Sequence, residues 1–274
     1  MQEEKIKILG VKFDNINLEK AATIAIKLAK GNSQEYIATP NPEILLQAIK
    51  DPKFLEILNK SALNIPDGTG ILWASSYLSK IKSNSSKATK TLKAFQTLFI
   101  GLIKPKSIRN ILKERVTGVD LMLEICKKSV NENLKIFLLG SSEKIGEKTK
   151  QHLEEKYPNI KIVGRLSKSP KEEDEKEIIE KINLSNADIL FIAYGAPKQE
   201  FWIAKNLKKL TSIKLAIGVG GAFDIISGTK KRAPMIFRKA GLEWLIRLIQ
   251  EPKRTKRIWN ATVKFPYEII KRKQ

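Results

Sequence analysis

Apolar positions along this chain follow two alternating rhythms: short continuous runs, and longer stretches with the three-to-four spacing of a helix face. Lys5 to Phe13 alternates as a first strand, and Leu18 to Ala29 has helical spacing with a stop at Gly31. Tyr36-Ile37-Ala38-Thr39 is a short strand that breaks at Pro40-Asn41-Pro42, before a helix from Glu43. Leu63 to Ile65 is another, and a helix begins with Ile71, Leu72, Trp73 and Ala74. From Leu134 the rhythm is regular. Strands at Lys135–Leu139, Ile160–Gly164, Ile189–Tyr194 and Leu215–Val219 are separated by helices from Glu143 towards Tyr157, from Glu172 to Leu184, and after Pro197. Such alternation predicts an α/β fold: a Rossmann-like, mostly parallel sheet with right-handed crossovers and helices on both faces.

Two segments depart from that rhythm. Lys80 to Lys93 is Ser/Lys-rich and loop-like, and Ala94 to Ile103 is a mostly apolar run. A membrane-spanning helix needs roughly 20 apolar residues, so this run is too short to cross a bilayer. With lysines on both sides it suits a helix lying in the headgroup zone; the alternative is a helix packed on the domain's own core. The C-terminal stretch places Leu242, Trp244, Leu245, Ile246, Leu248 and Ile249 among arginines, followed by Trp259, Phe265 and Tyr267. The predicted organisation is therefore a core over 1–229 carrying an insertion at 80–112, and a basic appendage over 230–274.

Charge sharpens this division. The chain of 274 residues carries a net charge of +22, with 42% apolar content, enough to bury a full core. Residues 1–79 hold nine basic and nine acidic side chains, and 116–229 hold eighteen and sixteen. The excess sits in 80–115, with ten Lys/Arg against Glu114, and in 230–274, with fourteen against Glu243, Glu251 and Glu268. An excess so confined points to an anionic partner, either a membrane surface or nucleic acid. Each basic residue near an anionic leaflet contributes about 1 kcal/mol, so these segments can hold the protein peripherally.

Cys126 is the single cysteine and His152 the single histidine, which rules out an internal disulfide and leaves no His/Cys cluster for zinc and no triad built on them. Cys126 falls in an apolar helical pattern and His152 among charged residues, as a buried thiol and a surface histidine. No metal or cofactor is expected. Met1-Gln2-Glu3-Glu4 has neither a positive n-region nor an apolar h-region, so cytoplasmic residence is expected.

The remaining polar chemistry gathers at the C-terminal ends of the predicted strands, where open α/β sheets collect ligands. Asp67, in Ile65-Pro66-Asp67-Gly68-Thr69-Gly70, stands where a strand hands over to a helix, as either a general base or a helix cap. Thr39 and Asn41 flank the Pro40 turn, where they can reach a sugar or serve a rigid capped turn. Arg115 opens an amphipathic helix, and can clamp a phosphate or lie on the surface. Gly140-Ser141-Ser142 is a weak phosphate signal without a dinucleotide fingerprint or Walker lysine. Gly195-Ala196-Pro197 precedes Gln199 and Glu200 in a first helical turn, and Gly220-Gly221 followed by Asp224 lets a ligand approach backbone closely. Lys230, Lys231 and Arg232 then add cations suited to a diphosphate.

The segments TPNPEI (39–44), IPDGTG (65–70), ERVTGVDLM (114–122), GAPKQEFWI (195–203), GVGGAFDIISG (218–228), KRAP (231–234) and GLEWLIRLIQEPKR (241–254) together resemble the WecG/TagA/CpsF family, glycosyltransferase family 26. The resemblance covers nearly the whole chain in order. It implies transfer of a sugar, typically N-acetylmannosamine, from a UDP donor onto undecaprenyl-diphosphate-linked N-acetylglucosamine in cell-surface polymer synthesis. It also implies Asp67 as the base, with Thr39, Asn41, Arg115 and Gln199 in the active site. The basic appendage, through Arg232, Arg238, Arg247, Arg254 and Arg257, would dock on the membrane and help to complete the site. Family members usually pass from the PDG helix to the ERV motif by a short connection, so Lys80 to Leu112 is a departure. An inverting transfer needs a base for the acceptor hydroxyl and something cationic for the departing UDP. Without evident metal ligands, the second task falls to backbone amides near Gly220 and Gly221 and to arginines. Two other classes compete: a basic-tailed membrane- or nucleic-acid-binding protein without activity, for which no specific nucleic-acid motif is found, and a scaffold with a decayed site. The core is also open to self-association.

Overall fold

The computed structural model describes residues 5–82, 84–239, 241, 243–251 and 255–272. Its centre is a six-stranded, all-parallel sheet of β3 (Glu35–Ala38), β4 (Leu63–Asn64), β5 (Lys135–Gly140), β6 (Lys161–Leu166), β7 (Ile189–Ala193) and β8 (Leu215–Gly218), in the order β4-β3-β8-β7-β5-β6. The predicted α/β class, with helices on both faces, is what the structure shows. The register lines up Leu63, Ile37, Ile217, Phe191 and Leu138 across five strands. Those side chains enter one core with α1 (Leu18–Ala29) and α6 (Gly118–Asn131). Their strand neighbours Phe137, Leu139, Leu190, Ile192 and Ala216 point the other way, into a core with α8 (Glu172–Ser185) and α9 (Lys198–Asn206). Buried on both faces, these strands read as continuous apolar runs, which is why they were legible.

A third core meets the sheet at Ala38 of β3. It joins α2 (Pro42–Ala48), α3 (Pro52–Lys60), α4 (Thr69–Leu78), α5 (Lys87–Ile103) and, from the C-terminus, α14 (Phe265–Lys271). Phe265 and Ile269 are fully buried there, so the last helix is part of the packed body. Between them, α7 (Glu143–Lys156), α10 (Ala222–Ile226), α11 (Met235–Lys239), α12 (Glu243–Gln250) and α13 (Thr255–Trp259) complete the helices, and a wide π turn at Asn260–Lys264 leads into α14.

Three expectations need correction. Lys5 to Phe13 is not one strand but a hairpin, β1 (Ile6–Ile8) and β2 (Val11–Phe13), outside the main sheet. Leu9 and Gly10 both take positive φ, 48° and 88°, which is the twist a two-residue hairpin turn needs. Lys80 to Lys93 is not all loop. Ser86 accepts from the Thr89 N–H as an N-cap, and α5 starts at Lys87, pinned where Tyr77 donates to the Lys90 carbonyl. The strand predicted over Ile160–Gly164 runs to Leu166, where Glu143 and Glu147 of α7 hold the Arg165 guanidinium.

Candidate active site

Four adjacent strands, β4, β3, β8 and β7, end on one side of a cavity of about 820 Å³. Its walls include Thr39 and Asn41 after β3, Asp67 after β4, Gly195 and Gln199 after β7, and Gly220, Gly221 and Asp224 after β8. Arg115, Lys230, Lys231 and Arg257 also line it, with Trp73 and Trp244 among its apolar members. The sheet order explains this assembly, because motifs far apart in sequence end on neighbouring strands.

Asp67 is held from both sides. Its N–H donates to the Pro40 carbonyl at 3.1 Å, and the Pro66 carbonyl accepts from the Val116 N–H at 3.0 Å. Two more bonds fix β4 itself: Ile65 N–H to the Ala38 carbonyl, and Asn64 N–H to Asp14 Oδ2. The Asp67 loop is thereby stitched to the turn after β3 and to the segment entering α6. Gly68, not Asp67, occupies the N-cap position of α4. Asn41 is the residue that caps: its Oδ1 accepts from Glu43 and Ile44 N–H at 3.0 and 3.1 Å while the residue also faces the cavity.

Gln199 works as a clasp between two glycine turns. Its Oε1 accepts from the N–H groups of Gly195 and Gly220 at 3.0 and 3.1 Å, and its Nε2 donates to Glu200 Oε1 at 2.9 Å. Gly220 has φ +52° and nothing within 4 Å of where a Cβ would stand, so its turn offers open backbone to the cavity. Its N–H is engaged by Gln199, and Gly221 follows it on the cavity wall. Behind the clasp, Glu200 is only 2% exposed and that desolvation pushes its pKa up to about 7, against the smaller opposing pull of the Gln199 hydrogen bond.

Three of these cations, Arg115, Lys230 and Arg257, are ion-paired. Arg115 Nη2 meets Glu243 Oε2 of α12 at 2.8 Å, with both side chains less than one-fifth exposed. Arg257 reaches Glu43 at 2.7 Å, at the cavity rim, and Lys230 lies 3.7 Å from Asp224 and 3.6 Å from Glu251. Arg232 is turned elsewhere. It binds Asp120 at 2.6 Å beside Thr117, where burial raises the carboxyl pKa but the Arg232 and Thr117 hydrogen bonds and the charges of Arg232 and Arg238 outweigh it and hold it low.

Not every expected residue reaches the cavity. Arg232, Arg238 and Pro197 are not among its walls. Gly140 ends the next strand over, under the Tyr194 ring, which lies 2.9 Å from where a Cβ would stand, and it is not among the walls either. Arg254 lies outside the described residues, as do the Arg247 side chain and Leu242. Cys126 is fully buried with its thiol pKa pushed up by burial, and His152 is a surface residue on the Lys148 carbonyl. Among the described residues no group of three or more His, Cys, Asp or Glu is placed to hold a metal ion. Sequence reasoning gave no role to Glu243, Glu43, Asp120 or Trp73. The signal for Glu243 was available: it is the only acid between Arg232 and Gln250 in a strongly basic segment.

A family model described as Glycosyl transferase WecG/TagA/CpsF family matches residues 6–98 and 105–274. Its interruption is six residues, 99–104; the rest of 80–112, the segment read from sequence as a departure from the family, lies within the match. A relative from Staphylococcus aureus strain MRSA252 is 32% identical over 272 residues, covering 98% of this chain and 94% of the relative. Relatives from strains MW2 and NCTC 8325 are 31% identical over the same shares. All three carry the name N-acetylglucosaminyldiphosphoundecaprenol N-acetyl-beta-D-mannosaminyltransferase.

Proposed function

The chain belongs to the WecG/TagA/CpsF family of glycosyltransferases, and from that premise we propose that it moves N-acetylmannosamine, or a related hexose, from a UDP donor to undecaprenyl-diphosphate-linked N-acetylglucosamine. The transfer inverts the anomeric centre, uses no metal, and serves cell-surface polysaccharide or teichoic acid synthesis. The observation that carries the reading is the shared cavity: the Asp67 carboxylate, two glycine turns and several cations line one space beside adjacent strand ends.

Asp67 is the base in this reading. It takes the proton of the acceptor hydroxyl as that oxygen attacks the anomeric carbon and the bond to the UDP oxygen breaks. Its stitched loop fixes the carboxylate's approach, which is where orientation lowers the barrier. The leaving diphosphate gathers negative charge, and Arg115, Lys230, Lys231 and Arg257 are the cations at hand, with the Gly221 backbone. Arg115 has to exchange Glu243 for phosphate oxygens to do so. Gln199 acts by holding the Gly195 and Gly220 turns, as a positioning residue. Thr39 and Asn41 face the sugar.

Among the described residues no helix is long and apolar enough to cross a membrane. On this reading the protein works peripherally on the inner face of the plasma membrane, its basic C-terminal segment on anionic lipid. The test is UDP release from a panel of UDP-sugars, with and without a short-chain lipid-diphosphate N-acetylglucosamine acceptor. Acceptor-dependent release from UDP-N-acetylmannosamine is expected. Release from another donor would replace the sugar, and no release from any donor would refute the reading.

A further inference from the structure

Helix α5 is built inside out for a helix of a water-soluble protein. Its inward stripe is small: Ala94 and Thr97 are 4% and 3% exposed, and Gly101 packs against Ile108. The bulky residues face outward instead. Phe95, Phe99 and Ile103 are 66%, 65% and 62% exposed, and Leu92, Leu98 and Ile100 lie beside them with Gln96. Positions 92, 95, 99 and 103 share one face at 3.6 residues per turn. An exposed apolar face of this kind marks an interaction site.

Charge selects the occupant. Residues 80–113 hold nine Lys/Arg and no Asp/Glu, with Lys87, Lys104 and Lys106 exposed at the two ends of the helix. A second copy of the chain, meeting this face about a two-fold axis, would bring those cations onto their own counterparts. An anionic surface would neutralise them. Next to α5, packed through the same core, α14 exposes Tyr267, and α13 just before it exposes Trp259, side-chain types that favour the water–lipid boundary. Leu98 also lines the cavity that holds Asp67, so the apolar face runs to its mouth.

We propose that the outward face of α5 lies in the headgroup zone of an anionic bilayer, a footing separate from the basic C-terminal segment, which brings the cavity mouth to the lipid surface. This rests on the reading that the acceptor is lipid-linked. The face supplies apolar insertion, and its flanking lysines supply attraction, so binding has one component that salt weakens and one that it does not.

The test is partition of the full chain onto phosphatidylglycerol vesicles, at low and high salt, for the wild type and for a double variant, Phe95→Ser with Phe99→Ser. Both side chains are exposed and neither lines the cavity, so folding and turnover on a water-soluble acceptor analogue should be unchanged. Partition should fall at least roughly tenfold, most visibly at high salt, given what burying one Phe is worth. A Phe99→Cys variant, labelled there with an environment-sensitive dye because Cys126 is buried, should shift to shorter wavelength on vesicles. Unchanged partition in the double variant, or no spectral shift at position 99, would overturn the proposal. So would self-association of the wild type that the double variant loses while vesicle binding persists, which would assign the face to a second copy. The vesicle arm needs no substrate, so failure of the transferase reading would register separately, as absent wild-type turnover.

Discussion

Glu200→Gln isolates the buried carboxyl behind the active-site clasp. Burial raises the folded-state pKa of Glu200 from 4.5 to about 7. A raised carboxyl favours folding while protonated, so its contribution is fully present below pH 4.5 and is lost as pH rises towards 7. At about 1.4 kcal/mol per tenfold, that gap makes the loss about 3 kcal/mol. Glutamine does not titrate and still offers an oxygen to Gln199 Nε2. It also places an amide where Glu200 Oε2 has no hydrogen-bond partner, a cost of about 1–2 kcal/mol. The two stability curves should therefore cross: the variant is weaker near pH 4.5 and equal to or stronger than wild type near pH 8. Urea unfolding at a series of pH values reads this directly, and kcat/KM should stay within a few-fold because the clasp survives. Parallel curves across that range would refute the argument.

Gln199→Ala removes the acceptor of two N–H groups and Glu200's donor, at an expected cost of about 2 kcal/mol in denaturant unfolding, since cavity water can replace part of what is lost, with a larger fall in kcat/KM. Gly218→Ala would place a Cβ 2.5 Å from Gln199 Nε2, and Gln199 is pinned by its other bonds; unfolding should show about 1–3 kcal/mol lost and turnover should drop. Asp120→Ala strips Arg232 of its partner, so limited trypsin digestion should cut faster after Lys230 or Lys231. In the wild type the stabilisation from Asp120 is present at neutral pH and is lost as pH falls through its lowered folded-state pKa.

The parallel sheet was legible because its strands are apolar on both faces, and because glycine and proline mark their C-terminal ends. Knowing that chemistry gathers at such ends was enough to bring Asp67, Asn41, Gln199 and the Gly220-Gly221 pair to one place. Strand order is what makes them neighbours, and it is not written in local pattern: β4 and β8 lie far apart in the chain but flank β3. Side-chain partners were less legible still. Arg232 and Arg257 look alike in sequence, as cations after the last strand, yet one turns to Asp120 and the other to Glu43. The hairpin was missed because Leu9, a residue that rarely takes positive φ, sits in an otherwise even alternation. The start of α5 was missed because Ser and Lys read as loop until Ser86 is seen to cap.

The most direct measurement is acceptor-dependent UDP release by Asp67→Asn against wild type, with circular dichroism and thermal unfolding run on both. Asparagine keeps the size of the side chain and the backbone bond to Pro40, so the fold should be retained while turnover falls by about 10²-fold or more. Wild-type-like transfer by a folded Asp67→Asn protein would contradict the account and remove Asp67 from the role of base.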